Sequence, residues 1–148
     1  MEENYNAYER VLDPSTIYAI LAVALIFGII GMIAQWKIFS KAGKPGWAAI
    51  VPIYNVYTLL KVVGKPGWWL FLLLVPFVNI YVAIKSVHLL SKSFGKGVGF
   101  TLGLLFLPIA FYPVLAFGSA AYLGPYGDPA AFAARQQANQ FDFENLNA

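Results

Sequence analysis

Between Asp13 and Asp128 the chain carries no carboxylate, and that interval is filled by long uncharged apolar runs separated by short groups of lysine. No other feature narrows the fold so far. Ile17 to Ala34 is uncharged throughout and, with Gln35 and Trp36, reaches the roughly 20 residues needed to cross a hydrocarbon core of about 30 Å. Hydrophobic residues make up 59% of the chain and charged ones 11%, against roughly half and a quarter in globular proteins. Such a chain would aggregate in water. It reads as an all-α integral membrane protein placed in the cell membrane, multi-pass. Cysteine is absent, which excludes disulfides, thiolate metal sites and cysteine nucleophiles.

The seven acids lie at the two ends, Glu2, Glu3, Glu9 and Asp13 before the first apolar run and Asp128, Asp142 and Glu144 after the last. Eight lysines stand between them. The division is an acidic N-terminal arm over 1–13, a membrane domain over 14–127 with segments at about 14–42, 45–63, 66–94 and 97–123, and a polar tail over 128–148. Because the lysines come in short groups between apolar runs, anionic lipid headgroups are the expected counter-charge and nucleic acid is not.

The first run opens with Asp13-Pro14-Ser15-Thr16, an N-cap residue with proline at the first helical position. It is too long, and lacks the basic leader, for a typical cleaved signal peptide. Ala24, Gly28 and Gly31 place small residues at helical spacing along it.

An internal repeat organises the rest. Gly43-Lys44-Pro45-Gly46-Trp47 recurs as Gly64-Lys65-Pro66-Gly67-Trp68, and Pro52, Asn55, Tyr57 and Lys61 recur at Pro76, Asn79, Tyr81 and Lys85. A degenerate third copy begins at Gly95-Lys96-Gly97 and runs to Pro108 and Pro113. Repeats of this length mark units that bury themselves only by stacking on neighbours. Lys-Pro-Gly predicts a surface turn, and tryptophan beside it predicts a headgroup-level anchor. Each later proline frees a carbonyl one turn back, at Ala48, Leu72 and Leu104, so a kink or break is expected at Pro52, Pro76 and Pro108. Asn55 and Asn79 are placed to hydrogen-bond such freed groups.

Only 16 residues separate Lys44 from Lys61, which is short for a span, and both flanks carry lysine and tryptophan. A re-entrant or interfacial segment satisfies both facts. Pro66 to Ile84 and Gly97 to Gly127 are long enough to cross, giving about three transmembrane helices in all. One conflict stands: crossing at Pro66 to Ile84 would put Lys85, Lys92 and Lys96 on the wrong side, unless the later units are hairpins too.

Lys37, Lys41 and Lys44 fall on one helical face, as do Lys85, His88 and Lys92, and both stripes read as lipid-headgroup contacts. His88 is the one imidazole and has no carboxylate in the core to relay to. Gly95, Gly97, Gly99 and Gly103 lack the Gly-Lys-Ser/Thr ending of a phosphate loop and follow no strand. Ser40-Lys41 and Ser91-Lys92 are neighbours that diverge by about 100° on a helix, so neither is a dyad. No catalytic residue, metal ligand set or cofactor is expected.

Trp36-Lys37-Ile38-Phe39-Ser40-Lys41-Ala42-Gly43-Lys44-Pro45-Gly46-Trp47, Val51-Pro52-Ile53-Tyr54-Asn55, Ser93-Phe94-Gly95-Lys96 and Tyr122-Leu123-Gly124-Pro125 together resemble a family of small bacterial membrane proteins of unknown function. The resemblance runs from about Trp36 to Pro125. In some relatives a similar domain precedes the catalytic domain of a type I signal peptidase. The Pro-Ser-x-Ser motif of that nucleophile is missing here, so the peptidase activity does not carry over. The fused arrangement implies a cytoplasmic C-terminal end in a bacterial inner membrane, and an acidic, outward N-terminus with an inward Lys37 to Lys44 group then gives an odd number of crossings. Phe117-Gly118-Ser119-Ala120-Ala121 departs from the charged Phe-Gly-Asp-Ala-Lys/Gln style of ending in relatives. Asp128-Pro129 is expected to cap a short tail helix through Gln140.

The expected function is a non-catalytic scaffold or accessory subunit, self-associating or within a larger membrane complex. The alternative is a small transporter or channel with a site at the Pro-x-x-Asn breaks, which a polar cavity reaching Asn55 and Asn79 would favour.

Overall fold

The computed structural model describes residues 13–147, so the acidic arm lies almost wholly outside the described residues. Among the described residues seven α-helices and one 3₁₀ turn follow in order: α1 (Pro14–Lys41), the 3₁₀ turn (Gly46–Ala49), α2 (Pro52–Val63), α3 (Trp69–Leu72), α4 (Val78–Ser93), α5 (Val98–Phe106), α6 (Pro108–Phe117) and α7 (Pro129–Asn147). Among the described residues there is no strand.

The repeated Gly-Lys pair ends a helix each time. At α1, Lys44 N–H donates to Phe39 O at 2.8 Å and Gly43 N–H to Ser40 O at 3.1 Å, with Gly43 at φ +71. The same two bonds run from Lys65 and Gly64 to Leu60 and Lys61, and from Lys96 and Gly95 to Ser91 and Lys92. All three are Schellman caps, in which glycine takes the left-handed conformation that closes the helix. The repeat is therefore a helix ending, reused.

The prolines mark the opposite end of each unit. Pro52 and Pro108 occupy the first turn of α2 and α6, where the missing donor costs nothing. Pro76 lies in the turn just before α4, beside Phe77 at φ +67. The expected kink or break is a break at all three residues, with Pro52 and Pro108 each opening a helix and Pro76 lying in the turn before one. Pro113 alone stands inside a helix, α6.

Each unit is thus a hairpin: an ascending arm (the 3₁₀ turn, α3 or α5), an apex at a proline, and a descending helix (α2, α4 or α6). The segment 118–128 proves that the descents finish at one end. Tyr122 Oη donates to Val62 O at 2.5 Å, and Gly127 N–H to Val63 O at 2.7 Å, both on the last turn of α2. Leu123 N–H donates to Ser93 O at 2.7 Å, and Tyr126 N–H to Ser93 Oγ at 3.2 Å, at the end of α4. Lys41 Nζ donates to the carbonyls of Leu115, Gly118 and Ala120 at 2.8–3.0 Å, tying the end of α1 to that of α6. One strap therefore gathers four helix C-termini and satisfies carbonyls that a helix end leaves open.

The core follows the strap. Ala34, Ile38, Phe39, Ala48, Ala49, Val62, Val63, Leu89, Leu90, Phe94, Leu115 and Ala116 form one buried cluster, all toward the capped end. Away from it the surface is apolar and uncovered. The apices are extreme, with Ile53 77%, Leu74 79%, Phe77 85% and Phe106 78% exposed.

Among the described residues α1 is the one helix long and apolar enough to cross a membrane, and only 6% of its most apolar eighteen residues are buried. The helix is thus not a soluble core element. The other two expected crossings, through 66–94 and 97–123, are instead divided: α3, a turn and α4 in one, α5 and α6 in the other. The tail helix runs past Gln140 to Asn147, and Asp128 Oδ1 accepts Ala131 N–H at 3.2 Å as its cap.

Candidate functional site: the cationic end and the Pro-x-x-Asn apices

The structure separates the lysine stripe of α1. Lys41 is partly exposed and donates to three backbone carbonyls, so it fastens α1 to α6. Lys37 lies over the Phe117 ring at 5.3 Å, and Lys44 is exposed past the cap. Lys61, Lys65 and Lys96 lie over Tyr57, Trp69 and Phe100 at 5.4, 5.0 and 5.7 Å. Four lysines thus hold a ring face each, which orients the ammonium without neutralising it. The charge stays available to anions at this end.

On α4, Lys85 and Lys92 are half-buried and His88 turns to α5, with Nδ1 and Thr101 Oγ1 3.2 Å apart. Thr101 Oγ1 in turn donates to Gly97 O at 3.3 Å. His88 thereby joins α4 to α5. Among the described residues no group of three His, Asp or Glu side chains is disposed to hold a metal.

The two asparagines differ. Asn55 Nδ2 donates to Gln35 Oε1 at 2.8 Å and to Ala49 O at 2.9 Å, pinning the first apex to α1. The carbonyl it satisfies belongs to Ala49, not Ala48, because Pro52 opens α2 instead of interrupting it. Asn79 is half-buried at the corresponding place. Tyr57 carries Lys61 on one face and stacks with Tyr54 at 5.8 Å, whereas Tyr81 is exposed.

The second glycine of each Gly-Lys-Pro-Gly phrase has its own reason. A Cβ on Gly46 would meet the Trp36 ring, and one on Gly67 would lie 2.6 Å from Tyr57 Cε2. In both units an aromatic ring packs against the turn.

A cavity of about 230 Å³ opens between α1 and α6, lined by Phe27, Ile30, Gly31, Gln35, Pro108, Ile109, Tyr112 and Pro113. Its lining includes neither Asn55 nor Asn79. Gln35 stands between the cavity and Asn55, so the polar cavity joining both asparagines that a transport site would need is not this one.

Sequence reasoning missed the strap. Tyr122 and Lys41 donate to backbone carbonyls and Ser93 accepts two backbone N–H groups, and nothing in residue type says which carbonyl a helix end will leave open. In Tyr122 burial pushes the phenol up to about 12, against a smaller opposing effect of Arg135, whose guanidinium lies 4.7 Å from the ring centroid. The hydroxyl therefore stays a donor to Val62 at neutral pH.

Residues 47–125 match a family of unknown function (DUF5684). The matched span begins in the 3₁₀ turn and ends in the strap, so it covers the three hairpins and their fastening. No curated protein and no solved structure matches the chain.

Proposed function

The chain belongs to that family, and we propose that it is a non-catalytic integral membrane protein, anchored by α1, that serves as a scaffold or accessory subunit. The observation that carries this reading is the upper part of α1: from Ile17 to Ile26 it is apolar on every side and uncovered by the rest of the described residues. Surface of that kind is made for lipid or for another membrane helix. Lys41, Asn55 and Tyr122 are committed to backbone carbonyls and His88 to Thr101, which is what a structural part requires.

In this reading the capped end faces the cytoplasm, following the preference of lysine for that side. α1 crosses once, and the three hairpins enter and leave through the same face. Backbone at membrane depth then stays within helices or against them, as hydrocarbon demands.

Two measurements test the proposal. Single cysteines at Lys44→Cys, Pro66→Cys and Lys96→Cys should all react from one face of the membrane, and opposite accessibility of Lys44→Cys and Pro66→Cys would sink the topology. A photo-crosslinker placed at Ala24 or Gly28 in native membranes should give a discrete protein adduct, either a second copy or one reproducible neighbour. Lipid adducts alone would leave α1 a plain anchor and remove the scaffold role.

A further inference from the structure

We infer that the chain is a wedge, filling the leaflet on its lysine side with a bundle and the opposite leaflet with α1 alone, and that it therefore sorts between membranes of opposite curvature. This rests on the topology proposed above. Depth is read from the distance between each apex and the lysine nearest to it along its hairpin. Ile53 precedes Lys61 by 8 residues, Phe77 precedes Lys85 by 8, and Phe106 follows Lys96 by 10. At a helical rise of 1.5 Å those stretches are about 12–15 Å deep, half of a hydrocarbon core of about 30 Å. From Lys37 back to Ile17 is 20 residues, about 30 Å, the whole core.

The apices themselves agree. A turn that reached the far headgroups would present polar side chains there, as the Lys-Pro turns do at the other end. Ile50-Val51-Pro52-Ile53, Leu74-Val75-Pro76-Phe77 and Leu105-Phe106-Leu107-Pro108 contain none, and their large side chains stand out from the bundle. They end in hydrocarbon. Proline at each apex also lacks an N–H, so one fewer donor is left unpaired where no water can meet it.

The areas in the two leaflets then differ. On the lysine side α1, α2, α4, α5 and α6 stand together, each about 10 Å across, while beyond the apices only α1 continues. Spread in one leaflet and not in the other, such a body fits best where the lysine-side leaflet is convex. The partner is thus a lipid surface of defined curvature, met by apolar hairpins and a lysine rim that suits anionic headgroups.

The test uses the full chain carrying Lys44→Cys, reconstituted into giant vesicles of phosphatidylcholine with phosphatidylglycerol and labelled by an impermeant dye, so that each orientation is counted separately. A membrane tether is drawn from the vesicle. Molecules with lysines outward should give a tether-to-vesicle ratio above unity that rises as the tether narrows, and molecules with lysines inward should be depleted. No sorting in either orientation would overturn the wedge, as would equal sorting in both. If Lys44→Cys and Pro66→Cys label from opposite faces, the topology fails and the wedge with it; if they label from one face and nothing sorts, only the wedge fails.

Discussion

Replacing Lys41 by methionine keeps the apolar stem and removes three donors at once. Those donors reach Leu115 O at 2.8 Å, Gly118 O at 3.0 Å and Ala120 O at 3.0 Å, and the first two lie at the end of α6. Hydrogen bonds from a charged group contribute about 1.5–3 kcal/mol each, and a cation at a helix C-terminus adds about 0.3–1 kcal/mol. Three bonds sharing one ammonium are not additive, and the bond to Gly118 is exposed, so the sum must be discounted. We expect Lys41→Met to cost about 2–4 kcal/mol. Lys37→Met, which loses only a contact over the Phe117 ring, should cost about 0.5–1 kcal/mol. The assay is unfolding of the purified chain in mixed micelles by increasing detergent denaturant, followed by tryptophan fluorescence, with both variants beside wild type. Equal losses, or a greater loss from Lys37→Met, would mean that the lysines act as an undivided headgroup stripe and that the fastening of α1 to α6 is not structural.

In the same unfolding assay Asn55→Ala should lose about 1–3 kcal/mol, since it strands Gln35 Oε1 and Ala49 O, whereas Asn79→Ala should lose clearly less. Gly43→Ala meets open space and should cost only the left-handed backbone penalty of about 1–2 kcal/mol. Gly64→Ala places a Cβ 2.6 Å from Asp128 N and 2.7 Å from Pro125 O, so it should lift the strap and expose Tyr122, Leu123 and Tyr126 to chymotrypsin, a change that Gly43→Ala should not produce. The raised Tyr122 pKa has a definite sign: the unfolded phenol ionises near 10 and the folded one at about 12, so the stability it contributes is complete below pH 10 and is lost as pH rises toward 12. A difference titration at the phenolate absorbance between wild type and Tyr122→Phe should isolate one tyrosine ionising at about 12, and a normal midpoint would contradict the buried bond to Val62.

The all-helical class and the repeat period were legible because apolar run length and the Gly-Lys-Pro-Gly phrase are direct statements about the chain. The hairpin logic was visible for residues 45–63, where the run is too short and both flanks are cationic. In the proposed topology the conflict over Lys85, Lys92 and Lys96 is removed by Gly95, which caps α4 at the strap alongside Gly64. Proline was harder. The same residue breaks a helix when inside it and starts one when first, and only the backbone before Pro52 decides between the two. The Asn55 to Gln35 bond and the Lys41 fastening join residues 20 and 74–79 positions apart, beyond any local pattern.

That separation sets an order of manufacture. In the proposed topology α1 crosses first and each hairpin then begins and finishes on the face where α1 ends, so each can settle as it leaves the ribosome, with no later segment to be carried across. The carbonyls at Val62, Val63 and Ser93 meanwhile stay at the membrane surface, where water can hold them. They meet their lasting partners only once Tyr122, Leu123 and Gly127 have been made, and Lys41 waits for Leu115, Gly118 and Ala120. The pieces of the bundle are therefore laid down in sequence and remain separable until the last stretch of the domain arrives, when a single late segment turns a row of independent hairpins into one body.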